Sequence, residues 1–411
     1  MRSSILDSAL ALVFAVLLLA GCAHAPEPPP GVRTPVILIS IDGFHPDYLQ
    51  RGRTPELARL AEEGAFGAMR PSFPSKTFPN HYTLVTGLRP DRHGIVDNTM
   101  EDPTIPGVTF RLSNRDAVTD PRWWNDATPI WVSAERAGVR SATMFWPGSE
   151  AAIQGVRPSR WMVFDQSMPA DRRTDQVLAW LDLPKEERPA FLTLYFDEVD
   201  TAGHVGGPNS AQLDEALERT DAALGRLVAG LKARGIAADL VIVSDHGMAE
   251  VSAERVIYVD DLLPPAAGRT LGLGAFMTYY PAPGREAEVE AALIRPHERM
   301  QCWRKSEIPA HHHYGTHRRV APIFCLPQTG WEITTRARIA GWGLSGGNHG
   351  FDPQSPEMRA LFIGHGPSFR AGARVAEFDN VDVYPLLARL LGVRPEPHDG
   401  DLDELRAAFA R

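Results

Sequence analysis

The stretch VILISIDGF, Val36 to Phe44, decides the fold. From Val36 to Ile41 the run is apolar except for Ser40. An alternating strand would leave one face in water. An unbroken apolar run instead predicts a strand covered on both faces, as in a sheet between two helical layers. The run stops at Asp42-Gly43. The same pattern recurs in Asp239-Leu240-Val241-Ile242-Val243-Ser244, which ends in Asp245-His246-Gly247. Arg140 to Phe145, Phe191 to Phe196 and Arg359 to Ile363 predict further strands.

Helical patterns fall between these strands. Thr54 to Gly64 has a Thr at the cap position, Pro55 in the first turn and a terminal glycine. From Ala211 to Arg234, Leu213, Leu217, Leu224, Leu227 and Leu231 recur on one stripe. Asp382 to Leu391 predicts a closing helix, and 401–411 a C-terminal one. Strands alternating with helices predict an α/β fold, layered α/β/α around a central, mostly parallel sheet. Residues 251–344 break the rhythm and are rich in Pro, Arg, Trp and His, which predicts a smaller inserted cap region. The region contains Cys302 and Cys325. Two thiols in an oxidising compartment can pair, or remain as buried free thiols, and the sequence leaves both open.

The 411 residues suffice for one large α/β domain with insertions. A formal net charge of −9 argues against a bound nucleic-acid polymer, which calls for a basic surface. Nucleotides as small ligands are still allowed, because a metal site supplies local positive charge. At the N-terminus, Arg2 precedes the apolar run Ala9 to Ala20, which has the length of a signal-peptide core rather than of a membrane span. It ends in Leu19-Ala20-Gly21-Cys22, a pattern similar to a bacterial lipobox; an ordinary signal peptide with an incidental cysteine is the alternative. The expectation is a signal peptide over 1–21, a lipid on Cys22 and a proline-rich tether over 22–34. The chain would then be exported and anchored to a membrane in the periplasm or at the outer membrane.

In open α/β sheets, ligand groups collect beyond the carboxyl ends of the strands. Asp42 follows the first strand, and Asp245 and His246 a later one. Asp200 and His204 lie in DEVDTAGH, shortly after the strand ending at Phe196, and His349 lies in GGNHGFD. Singly, such residues are usually turn formers or packed side chains. Together, three Asp and three His are the inventory for two zinc ions. A metal pair suits in-line phosphoryl transfer, which also calls for a nucleophile. PSFPSKTFPNHYTLVTG, Pro71 to Gly87, offers Thr77 on a proline-fixed turn expected to face the surface. A helix opening near Asn80 would point free N–H groups at an anion.

Taken together, KTFPNHYTLVTGLRPDRHGIVDN, DEVDTAGH, SDHGM and GNHGFD resemble the nucleotide pyrophosphatase/phosphodiesterase family of the alkaline phosphatase superfamily. The resemblance runs from about Pro35 to Pro397, and Arg304 to Trp331 resembles the family's insert. It implies an alkaline phosphatase-like catalytic domain over 35–400. It also implies two zinc ions, one held by Asp200, His204 and His349, the other by Asp42, Asp245, His246 and the Thr77 oxygen. Thr77 would attack phosphorus, forming a phospho-threonine intermediate that water hydrolyses. Asn98 would donate to a phosphate oxygen, with the N–H of Thr77 or Phe78 sharing that charge. Phe78 and Tyr195 would hold a base, with Trp161 as a further wall. The implied reaction cleaves nucleotide pyrophosphate and phosphodiester bonds and releases nucleoside 5′-monophosphate.

No Arg stands in the nucleophile motif to grip a second phosphate oxygen, which favours diesters over monoesters. A lipid or choline-type phosphodiesterase of the same fold would need an aromatic and acidic cage, and the sequence locates none. A non-catalytic surface lipoprotein binding metal or nucleotide would not need Thr77 alongside all six Asp and His. A sulfatase would carry Cys or Ser ahead of Pro-x-Arg, which is absent here.

Overall fold

The structure is a computed structural model that describes residues 34–410. The expected leader, Cys22 and the tether up to residue 33 lie outside the described residues. Among the described residues no helix is long and apolar enough to cross a membrane.

The strand β1 (Val36–Ile41) sits in the middle of a mixed sheet, and all six of its residues are buried. The other strands of the main path, in chain order, are β2 (Ala65–Arg70), β3 (Ser141–Met144), β4 (Arg160–Trp161), β5 (Phe191–Phe196), β6 (Asp239–Val243), β7 (Ala360–His365) and β8 (Ala373–Arg374). Across the sheet the order is β8-β2-β7-β6-β1-β5-β3-β4, with Phe378–Asp379 also pairing with β2. Of these strands β7 alone runs antiparallel to its neighbours. The pleat sends alternate side chains to opposite layers. Val36 and Leu38 enter one core with residues of the helices Thr77–Thr86, Ile130–Arg136 and Val383–Leu391. Ile37, Ile39 and Ile41 enter the other, with residues of Pro55–Glu63, Ala170–Leu181 and Ala211–Ala233. Each such side chain contributes roughly 1.5–3 kcal/mol over leaving it exposed. A charge inside the run would forfeit that, so the first carboxylate, Asp42, comes where the strand ends.

Parallel pairing of β1 with β5 and β6 puts three carboxyl ends on one edge, with Ser40 level with both Tyr195 and Val243. The helix after Pro74 begins at Thr77, not near Asn80. Pro79 fits the first turn, where its missing N–H is no loss, and the Asn80 N–H already donates to the Lys76 carbonyl at 3.0 Å. Thr77 is therefore the first helical residue, and at 7 % exposure it is buried rather than surface-facing.

Within 251–344 lies a separate four-stranded antiparallel sheet in the order Gly268–Thr270, Met277–Pro281, Ile323–Pro327, Met300–Arg304. It has its own apolar core, including Val259, Leu263, Met277, Val289 and Ile323. Cys302 stands directly across from Cys325, and the two form a disulfide. The C-terminal segment forms a 3-10 helix, Leu402–Ala408.

Candidate active site

At the carboxyl edge, Gly43 turns the chain with a φ of +69°, and its N–H donates to Asp245 Oδ1 at 3.2 Å. A Cβ at Gly43 would lie 3.1 Å from Asp200 Cα, so the glycine permits both the turn and the close approach. Asp245 and His246 follow β6 directly. Asp200 and His204 are four residues apart on the helix Glu198–Gly206 and share a face. His349 follows the short strand Gly347–Asn348, which pairs with Ala249–Glu250.

His246 stands between the two expected ligand sets. Its Nε2 is 3.0 Å from Asp245 Oδ2, 3.5 Å from Asp42 Oδ1 and 3.4 Å from Thr77 Oγ1. Its ring stacks on His349 with centroids 3.5 Å apart. Asp200 faces His204 Nε2 at 3.5 Å and His349 Nε2 at 3.6 Å. The other ring nitrogen of each histidine points at a backbone carbonyl: His204 Nδ1 at Gly347 (2.9 Å), His246 Nδ1 at Gly247 (2.9 Å) and His349 Nδ1 at Ser75 (2.8 Å). A neutral imidazole that donates from Nδ1 carries its lone pair on Nε2. In their neutral forms all three present that lone pair to the cluster.

The carboxylates complete the case for cations. Asp42 Oδ1, Asp200 Oδ1 and Asp245 Oδ2 are buried without a hydrogen-bond partner. Buried oxygens of this kind are costly unless something pairs with them. Burial raises the Asp42 carboxyl well above its ordinary range, and the nearby charges of Asp245 and Asp200 raise it further. Burial also works to raise Asp245, but His246 and His81 beside it outweigh this and hold it well below. Orphaned carboxylate oxygens and imidazole lone pairs aimed at one volume fit two divalent ions of the zinc class.

Sequence reasoning missed His81. Its Nδ1 lies 2.8 Å from the Thr77 carbonyl and 3.3 Å from Asp245 Oδ2, and its Nε2 lies 2.8 Å from Ser40 Oγ. It braces Asp245 against the helix that starts at Thr77. The four-residue spacing from Thr77 was the available signal. Tyr195, expected as a base wall, also donates its hydroxyl to Asp42 Oδ2 at 2.6 Å.

Asn98 Oδ1 accepts the Phe78 N–H at 2.9 Å. That bond fixes the amide orientation and leaves Nδ2 free to donate. It also occupies the Phe78 N–H, so of the two N–H groups expected to share charge only that of Thr77 is left. The wider set of free N–H groups expected at this helix start is likewise absent, since Pro79 has none.

A cleft of about 520 Å³ opens over Thr77 and includes Asp42, Phe78, Phe145, Phe164 and Tyr195 in its lining. Trp161 is not brought to it; it lies in another surface hollow with Arg160 and Trp180. Phe164, three residues further on, lines the cleft instead, its ring 6.1 Å from Tyr195. A second cavity, of about 560 Å³, is lined by His204 together with Lys76, Arg111 and Arg338.

The layered sheet and this donor set beside a buried threonine hydroxyl define an alkaline phosphatase-like protein. The profile of the family described as type I phosphodiesterase / nucleotide pyrophosphatase matches residues 36–352, and the chain belongs to that family. It is 38% identical over 388 residues to an uncharacterised pyrophosphatase/phosphodiesterase of Schizosaccharomyces pombe, covering 89% of this chain and 78% of that one. It is 35% identical to human ectonucleotide pyrophosphatase/phosphodiesterase family member 1, covering 92% of this chain and 42% of the relative. The chain thus spans less than half the length of such animal relatives. Among solved structures, murine ectonucleotide pyrophosphatase/phosphodiesterase 5, as an inactive Thr-to-Ala variant in complex with AMP, superposes with a TM-score of 0.87. That match has 32% identity and covers 92% of this chain and 100% of the other.

Proposed function

We propose that the chain is a two-zinc hydrolase that cleaves nucleotide pyrophosphate and phosphodiester bonds, releasing nucleoside 5′-monophosphate through an ester on Thr77. The observation that carries this reading is the placement of Thr77 Oγ1, 3.4 Å from His246 Nε2 on the floor of a cleft flanked by Phe78. Asp200, His204 and His349 would hold one ion, and Asp42, Asp245 and His246 the other, with the Thr77 oxygen beside it. Bound zinc would lower the pKa of the threonine hydroxyl and offset charge on the phosphoryl oxygens.

The protein's own groups do the rest. Thr77 Oγ1 forms a bond to phosphorus as the bond to the leaving oxygen breaks, and the resulting phospho-threonine ester retains the nucleoside. Water then cleaves that ester, freeing the monophosphate and restoring the hydroxyl. Asn98 Nδ2 and the Thr77 N–H donate to phosphoryl oxygens. Phe78, Tyr195 and Phe164 offer faces to a base. Lys76, Arg111 and Arg338 give the second cavity a cationic lining suited to an anionic leaving group. The structural relative whose Thr-to-Ala variant is inactive and binds AMP supports both the threonine and the nucleotide.

Two acids of the cleft, Glu150 and Asp197, are already taken up by protein partners and so do not serve a choline-type headgroup, while Asp165 is engaged only by Ser167. Glu150 is paired with Arg115 through both oxygens. Asp197 accepts from Arg173 at 2.6 Å and from Gln166 at 3.1 Å. No unpaired carboxylate of that pair remains to hold an ammonium group. On the sequence pattern alone, we further propose export and lipid anchoring through Cys22.

The test compares a nucleoside 5′-monophosphate nitrophenyl ester with nitrophenyl phosphate and nitrophenyl phosphocholine. The nucleoside ester is expected to turn over fastest. A strong chelator is expected to abolish that turnover, and Zn²⁺ to restore it. Preference for the phosphocholine ester, or activity that survives the chelator, would refute the proposal.

A further inference from the structure

Apart from the active-site cluster, one other group of metal-ligating side chains converges among the described residues: His311, His312 and Asp352. The two histidines lie on the 3-10 turn Ala310–His312 of the insert, and Asp352 ends the GGNHGFD loop, three residues after His349. One donor atom from each lies within 4.8 Å of the other two. The two imidazole rings are 4.1 Å apart. His312 is only 6 % exposed and its ring packs 4.3 Å from Phe73, yet neither ring nitrogen has a hydrogen-bond partner in the protein. Asp352 Oδ1 accepts the Gln354 N–H at 2.9 Å, which leaves the second oxygen to a cation.

We propose that His311, His312 and Asp352 bind a further divalent ion, separate from the active-site cluster, which clips the insert to the loop carrying His349. Two imidazoles and one carboxylate form a borderline donor set that selects the zinc class over Mg²⁺ or Ca²⁺. His311 is exposed, so the ion can exchange with solvent and water can fill the remaining coordination. The clip stands behind the active site. Ser75 Oγ donates to the Phe351 carbonyl at 3.0 Å, and His349 Nδ1 lies 2.8 Å from the Ser75 carbonyl. The ion therefore joins the insert to the segment that positions both Thr77 and His349.

The test measures zinc per chain by elemental analysis after equilibration of the full chain in zinc-buffered solution. It compares the unaltered protein with His312→Phe, which keeps ring packing on Phe73, and with Asp352→Asn, which keeps an acceptor for Gln354. Each variant is expected to hold one zinc fewer than the unaltered protein. Because the readout is a difference, it does not depend on how many ions the active site holds. Asp352→Asn carries the test alone if the histidine variant does not fold. Zinc is also expected to slow hydrogen exchange over 310–313 in the unaltered protein and not in Asp352→Asn. Equal zinc contents, or exchange over 310–313 that ignores zinc, would overturn the proposal.

Discussion

The carboxyl edge of the sheet and the disulfide-bonded insert treat buried groups in opposite ways. At the edge, Asp42, Asp200 and Asp245 each keep a buried oxygen without a hydrogen-bond partner. Inside the insert, the core is apolar and closed by Cys302–Cys325. The edge holds unsatisfied charge that a ligand would relieve, whereas the core of the insert's four-stranded sheet is built from apolar side chains and the disulfide. Changes at the edge should therefore alter chemistry with little loss of fold, and changes in the insert core should alter stability with little loss of chemistry.

The sharpest way to break that contrast is Asn98→Asp. This variant keeps an acceptor for the Phe78 N–H and removes the amide donor. Losing one donor to a developing negative charge costs about 10²–10³ in kcat. A kcat near that of the unaltered protein, measured on the nucleoside ester, would remove Asn98 from the reaction.

Phe78→Ala probes the cleft. Stacking a base on an aromatic ring is worth roughly 1–3 kcal/mol, or about 5- to 150-fold. The expected loss in kcat/KM applies to the nucleoside ester and not to a small diester without a base. Phe78 also packs near Phe110 and Trp124, at 5.9 Å from each ring, so only the ratio between the two substrates is diagnostic. Equal losses on both would assign Phe78 to packing.

The smallest effect on activity is expected from the insert. The Cys302–Cys325 bridge spans 23 positions, a loop for which chain entropy gives roughly 3 kcal/mol of stabilisation. Reduction, or Cys302→Ala with Cys325→Ala, should lower the melting temperature while kcat at low temperature stays within about twofold. A large loss of kcat in a folded, reduced protein would couple the insert to the chemistry and erase the contrast.

The two regions also differed in how far they could be read from the sequence. β1, β5 and β6 were legible because fully buried strands leave unbroken apolar runs, and their terminal Asp and His residues mark the edge. The helix start at Thr77 was placed three residues late because Pro74 and Pro79 read as a turn, although Pro79 fits a first helical turn. Phe164 and His81 were missed for different reasons. Phe164 lies on a loop without periodicity, whereas His81 follows from the helical spacing once Thr77 is known to be helical. The disulfide stayed open because only the register of two antiparallel strands places Cys302 across from Cys325.

Turnover of Thr77→Ala on the nucleoside 5′-monophosphate nitrophenyl ester decides whether Thr77 carries the reaction. Because Thr77 is buried, the comparison is made on protein with an unchanged circular dichroism spectrum and the same zinc content as the unaltered chain. A loss of about 10⁴-fold or more in kcat is expected, the scale seen when a covalent nucleophile is removed. Turnover within about tenfold of the unaltered protein would contradict it.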